Sequence, residues 1–258
     1  MNVLVKELKS KLVSTSLWLL GLLVFLGWAL VEYKALRQSG PALSSFMDSI
    51  PKILQVVFGL GDTDLSRVSG YMGIVGLYMF VLLSIHGLFL GISIINREQD
   101  NKTTDFLLTK PISRNNLFDV KSLSGVIIII IMNLILWLFT KFFAPIILDS
   151  SLEPFITHYG WAYLSIHLTM FSLGLLLAAV LKKKASQIGL MIVLIMYLFP
   201  VFIDLSGASS TFKKFSIYSL FNPKSLETTM PYVEVIILLM ITCLFAIGAR
   251  YRYKFRDL

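Results

Sequence analysis

Charge is scarce in this sequence: Asp, Glu, Lys and Arg together make up 15% of 258 residues, where a soluble domain would carry about a quarter. Apolar residues make up 56%, and the mean hydropathy is +0.79. A single cysteine, Cys243, excludes an intrachain disulfide and falls inside an apolar window, where it serves as filler. No glycine precedes a lysine anywhere, so a G-x-x-x-x-G-K-[ST] phosphate loop is excluded. H-E-x-x-H, G-x-S-x-G and any Cys/His cluster are missing as well, which removes the common signatures of metal-dependent and nucleophilic hydrolysis. Carboxylates are also missing from the interior of the apolar windows, every acid falling in a loop or at a window end. Ion-driven carriers usually need such groups at membrane depth, so that class is disfavoured. The sequence thus reads as an integral membrane protein, and no catalytic residue, cofactor or metal site of its own is expected.

Charge-free windows cover residues 12–31, 68–96, 122–140, 154–181, 185–203 and 235–249. The first five reach the ~17–25 residues that a helix needs to cross the hydrocarbon layer. The sixth is short and spans only if Glu234 sits at the interface. The expected fold is an all-α membrane protein, a single domain over residues 1–258, with six spans at about 12–33, 70–95, 122–143, 155–181, 185–203 and 232–249 and a polar loop at 96–121. Lys6, Lys9 and Lys11 precede the first window, but it is too long for a signal-peptide core and no cleavage-site pattern follows, so it is expected to be retained. Leu4, Val5, Leu8 and Leu12 share one face of the stretch before it. An N-terminal helix lying in the membrane interface fits that pattern better than a bare basic flank.

Segments 1–11, 96–121, 182–184 and 250–258 hold 15 of the 23 basic residues and six of the 15 acids, giving one side about +9 and the other about −1. The positive-inside rule then puts both termini, the loop at 96–121 and Lys182 to Lys184 in the cytoplasm of a cell-membrane protein. The net charge of +8 is a topology signal, and nucleic acid is not an expected partner. It also places the Asn101-Lys102-Thr103 sequon on the wrong side for glycosylation.

On the outer side, residues 32–70 carry Pro41, Pro51, Gly59 and Gly61 around apolar patches too short to span, suggesting one or two short helices resting on that face. The connection with Pro145, Asp149, Glu153 and Pro154 is short and acidic. The segment from Asp204 to Met230 carries Phe212, Phe215, Tyr218 and Phe221 ahead of Pro223, and either an interface anchor or a re-entrant hairpin suits it. Inside the second window, Gly87 and Gly91 have the G-x-x-x-G spacing that lets helix backbones approach closely. His86, Asn133 and His167 sit near the middles of three different spans. Polar side chains at that depth mark either an interhelical hydrogen bond or a translocation path.

The loop NREQDNKTTDFLLTKPISRNNLFDVK, residues 96–121, is the longest polar insert on the basic side. A mixed-charge run leads into an apolar knot, Phe106, Leu107 and Leu108, and Pro111 then disfavours helix at Lys110. Ser113 is placed to cap a second helix in which Leu117, Val120 and Leu123 recur at helical spacing. A compact hydrophobic bump on a charged loop is the expected form of a docking element, and Arg114 is positioned to pair with Glu98 at its base.

Glu98, Thr103 with Thr104, Asp105, Phe106, Leu107 with Leu108, Pro111 to Arg114 and Lys121 together resemble the cytoplasmic loop after the second span in permeases of the type 2 ATP-binding-cassette (ABC) exporters. Thr103 stands where that family usually has glycine. The resemblance implies that this loop is a coupling helix seated in a separate ABC ATPase subunit, with ATP and Mg bound by that partner. It further implies a second permease chain, identical or homologous, and export of a substrate or handling of membrane lipid. The competing reading is a polytopic membrane protein that transports nothing, such as an immunity or sensor component, or an intramembrane enzyme.

Overall fold

The computed structural model describes residues 3–39, 49–60, 65, 67–100, 113–148, 153–181 and 184–255. Six helices are long and apolar enough to cross a membrane: α1 (Val3–Ser39), α3 (Val68–Asp100), α4 (Arg114–Leu148), α5 (Glu153–Val180), α6 (Ala185–Ser206) and α8 (Tyr232–Lys254). Among the described residues, two short helices, α2 (Lys52–Val57) and α7 (Pro223–Leu226), lie in the connections at the end of the bundle away from the termini. No strand occurs among the described residues. An all-α bundle is what hydrocarbon demands, since each helix satisfies its own backbone groups.

Two boundaries differ from expectation. No separate interfacial helix precedes the first span, because α1 runs unbroken from Val3 to Ser39. At 1.5 Å per residue its 37 residues extend about 55 Å, well beyond the hydrocarbon thickness. Neither proline nor glycine interrupts its first four turns, which leaves nothing to bend it at the interface. Pro145, expected in a connection, lies within α4, which continues to Leu148. The proline sits in the last turn, where only one intrahelical bond is lost. The short helix α2 does not simply rest on a surface: its Val57 carbonyl accepts from the Tyr197 hydroxyl of α6 at 2.7 Å.

Helices α3 and α5 form the centre, and each packs against more than one neighbour. Their approach is close because glycine leaves no side chain between them. A Cβ on Gly87 would stand 2.7 Å from the His167 carbonyl oxygen, one on Gly91 would collide with the Phe171 carbonyl, and one on Gly174 with that of Leu88. Helix α8 packs along the other side of α5, where the Thr169 and Thr242 hydroxyls are 3.0 Å apart. Helix α1 leans on α4.

The segment between α6 and α8 is re-entrant. Gly207, at φ 67°, ends α6 in the left-handed conformation, and two 3₁₀ turns, Ser210–Phe215 and Ile217–Leu220, carry the chain back into the bundle. The Ser216 hydroxyl donates to the Met196 carbonyl at 2.6 Å, halfway along α6. Irregular backbone persists at such depth only when it is enclosed by protein and its polar groups are met. Here Ser209, Ser216 and Asn222 side chains accept from the backbone N–H groups of Thr211, Tyr218 and Lys224. Tyr218 and Phe221 are buried around Phe80, whereas Phe212 and Phe215 remain exposed. Gly73 receives the loop, since a Cβ there would stand 2.7 Å from the Pro223 ring.

Candidate translocation site and loop base

Three polar residues from three helices meet in the middle of the bundle. His86 Nδ1 of α3 lies 2.8 Å from His167 Nε2 of α5, and His167 Nδ1 lies 3.0 Å from Asn133 Nδ2 of α4. All three are buried. The glycine contacts explain the first distance, because Gly87 brings α3 against the backbone at His167. Asn133 also donates from Nδ2 to the Ile129 carbonyl at 2.8 Å. Trp18 of α1 presents its ring edgewise to His86, with centroids 5.6 Å apart.

Cavities lie on both sides of this network. Toward the end that carries the termini, a cavity of about 540 Å³ is lined by Lys11, Ser14, Trp18, His86, Ser93 and Ser186. Lys11 Nζ donates to Ser93 Oγ at 2.8 Å across it, joining α1 to α3. On the other side, a small cavity of about 40 Å³ is lined by Asn133, Trp137, Thr140, Tyr159 and Tyr163. Tyr159 also lines a third cavity of about 1370 Å³ at the opposite end, whose rim includes Lys52, Arg67 and Lys224 and whose floor is Phe80 and Tyr218. The order is a polar cavity, the His86–His167–Asn133 network, a small cavity, and a large one.

A second group of residues fixes the base of the loop at 96–121. Lys121 is fully buried in the third turn of α4, and its Nζ donates to the carbonyl oxygen of Ile94, near the end of α3, at 2.8 Å. An ammonium in an apolar site must be met by acceptors, and a helix carbonyl has a second lone pair to offer beside its intrahelical bond. Ser113 caps α4 as expected, its hydroxyl accepting from the Asn116 N–H at 3.2 Å. Farther round, Arg250 of α8 makes a two-pronged pair with Asp119 of α4, at 2.8 and 2.7 Å.

His86, Asn133 and His167 are thus brought together, and Lys121 lies one helix junction away. Thr103, Thr104, Asp105, Phe106, Leu107, Leu108 and Pro111 lie outside the described residues, as do the side chain of Glu98 and therefore its expected pairing with Arg114. Nothing in the sequence marks Trp18, Lys11 and Tyr159 as site residues, because an aromatic in an apolar window or a lysine flanking one carries no local sign of what it faces. The Arg250–Asp119 pair spans 131 residues and has no local signature either.

A family model described as "ABC-2 family transporter protein" matches residues 1–258, the whole sequence. No curated protein matches the chain.

Proposed function

This chain belongs to the ABC-2 family of transporter membrane proteins, and from that premise we propose that it is the permease of an exporter whose ATP hydrolysis takes place in a partner ABC ATPase docked on residues 96–121. As a multi-pass permease subunit of an ABC transporter it associates with such an ATPase and with the bilayer; outward direction, the docking site and a second permease chain are the proposed part. Cytoplasmic placement of both termini follows from the basic-residue asymmetry. The observation that carries the reading is the junction of α3 and α4, where buried Lys121 ties the two helices that flank the loop. Force applied to the loop then passes into both helices at once, and these helices carry His86 and Asn133. The three cavities, each lined in part by α3, support a path beside this helix.

The test is co-purification of the full chain with its ATPase, identified by mass spectrometry, followed by ATP turnover with and without the permease. Hydrolysis confined to the partner and altered by the permease is expected. Turnover by the isolated permease, or an ATPase that binds equally well after residues 103–108 are replaced by a Gly/Ser linker, overturns the assignment. Sidedness is checked separately by labelling Asn101→Cys in a Cys243→Ser background, where reaction with an impermeant reagent from outside reverses the topology.

A further inference from the structure

His86 Nδ1 and His167 Nε2 are 2.8 Å apart, a distance at which two N–H groups or two bare lone pairs repel, so a single hydrogen lies between them. The neighbouring amide determines whose it is. Asn133 Nδ2 is 2.8 Å from the Ile129 carbonyl oxygen, which can only accept, so that end of the amide is the NH₂. The same NH₂ stands 3.0 Å from His167 Nδ1, which must therefore offer a lone pair. His167 carries its hydrogen on Nε2 and donates it to His86 Nδ1; His86, accepting there, carries its own hydrogen on Nε2. Both rings are neutral, and the chain of donors has one direction, from Asn133 through His167 to His86. Asn133 Oδ1 is left buried without a hydrogen-bond partner.

That orphaned oxygen is the acceptor a second arrangement needs. We propose that His86 and His167 form a binding site for one proton, switched by the orientation of Asn133. A proton arriving at His167 Nδ1 forms an N–H bond there, the His167 Nε2–H bond breaks, and its hydrogen passes to His86 Nδ1. The product is a cationic His86, a neutral His167 with its hydrogen on Nδ1, and Asn133 turned to accept that hydrogen at Oδ1, its Nδ2 giving up the Ile129 carbonyl and the amide moving off that oxygen. One proton is bound and the charge rises by one. A second is excluded, because two imidazolium rings at this separation repel strongly. His86 lines the cavity toward the termini, and with Nδ1 engaged its Nε2–H is the group that can return the proton there.

The surroundings supply no counter-charge on the cavity wall and so limit the pair to a single proton. Lys11 on α1 is the one other titratable group among the described residues lining that cavity, and it is engaged with Ser93. Helix α1 also presents Trp18 and α6 presents Ser186 at the cavity wall, and α4 presents Asn133 to His167, none of them an acid. The small cavity beside Asn133, about 40 Å³, has room for one or two waters to deliver the proton. The inference does not depend on what the permease transports.

The chain has three histidines, so His158→Gln in full-length protein labelled with ¹⁵N-histidine leaves only the pair visible. In lipid nanodiscs, ring nitrogen resonances are followed from about pH 8 to about pH 5, the range in which imidazoles ordinarily titrate. Two neutral Nε2–H rings are expected at the upper end. On acidification one imidazolium per chain should appear, with His167 converting to the Nδ1–H form at the same midpoint. Adding His86→Gln should abolish the imidazolium, and Asn133→Leu should release His167 from the Nε2–H form at the upper end. Two imidazolium rings, separate midpoints, no titration in the parent, or a cationic His167 in the His86→Gln protein overturns the proposal. Should His86→Gln fail to enter nanodiscs, Asn133→Leu decides: a His167 still held as Nε2–H removes the switch.

Discussion

Helices α3 and α5 bury 67% of their membrane windows and α1, α6 and α8 only 17% each, yet α6 and α8 are the more hydrophobic, at mean hydropathy 2.5 and 2.4 against 2.1 and 1.8. In water the order would be reversed. Lipid is as apolar as leucine and gives no reason to put the oiliest helix inside, so packing selects for small residues and paired polar groups instead. The central pair has both: glycines at 87, 91 and 174 against facing backbone, and His86 against His167. The peripheral helices turn Leu20, Val24, Leu194, Ile195, Met240 and Leu244 outward. Function is therefore to be sought where hydropathy is lower and the helices touch.

The sharpest way to break this comparison is to place the same side chain in both regions. Gly91→Leu drives atoms into the Phe171 backbone, whereas a Cβ on Gly21 of α1 meets nothing within 4 Å. Overpacking against backbone costs about 3 kcal/mol, and the expected outcome for Gly91→Leu is a lowered melting temperature in detergent or failure to assemble. Gly21→Leu should melt at or above the parent, since replacing a helical glycine contributes up to about 1 kcal/mol. Equal losses at both sites would mean that the central packing is no tighter than the periphery.

The next effect lies at the loop. Truncating an apolar anchor at a docking site costs about 2 kcal/mol, so Phe106→Ala should weaken ATPase binding about 30-fold while the isolated permease melts unchanged. A destabilised permease that still binds the ATPase would make the apolar knot part of the permease core. Lys121→Met tests the other side of the same junction. It removes the charge-assisted bond that ties α4 to the Ile94 carbonyl, worth about 2 kcal/mol. Here the permease itself should lose melting temperature, and more ATP should be hydrolysed per substrate moved as the junction loosens.

Much of this architecture is legible from windows and spacing, but unevenly. Charge-free runs locate five spans outright, and the sixth once Glu234 is allowed into its first turn, because desolvating a charge in hydrocarbon is so costly that the signal survives without context. The spacing of Gly87 and Gly91 announces close packing, and Ser113 announces a helix start. His86, Asn133 and His167 stand out one by one, but nothing local says that 2.8 and 3.0 Å separate them, since that depends on which helices are neighbours. The re-entrant turn was one of two alternatives for its aromatic run, because residues that anchor an interface and residues that fill a core look alike until Ser216 is seen to bond Met196. Helix α1 overran its expected start for a simple reason: a basic flank marks where hydrocarbon ends, and a helix need not end there.

The smallest expected effect concerns the periphery's own ion pair. Arg250 and Asp119 meet with two good hydrogen bonds, but their side chains remain 51% and 45% exposed. Exposed pairs gain little over their separate hydration, and salt screens what remains. Their position is nevertheless suggestive, since Asp119 precedes Lys121 by two residues on α4 and so lies off the face that Lys121 turns inward. If peripheral polar contacts are dispensable and the central ones are not, Arg250→Gln should leave the melting temperature indistinguishable from the parent at physiological salt and ATPase binding unaffected. Lys121→Met, a few ångströms along the same helix, should not share that silence. A loss in Arg250→Gln as large as that in Lys121→Met would show that α8 is as firmly tied to the loop base as α3 is, and the division between a working centre and a lipid-facing rim would have to be redrawn to include it.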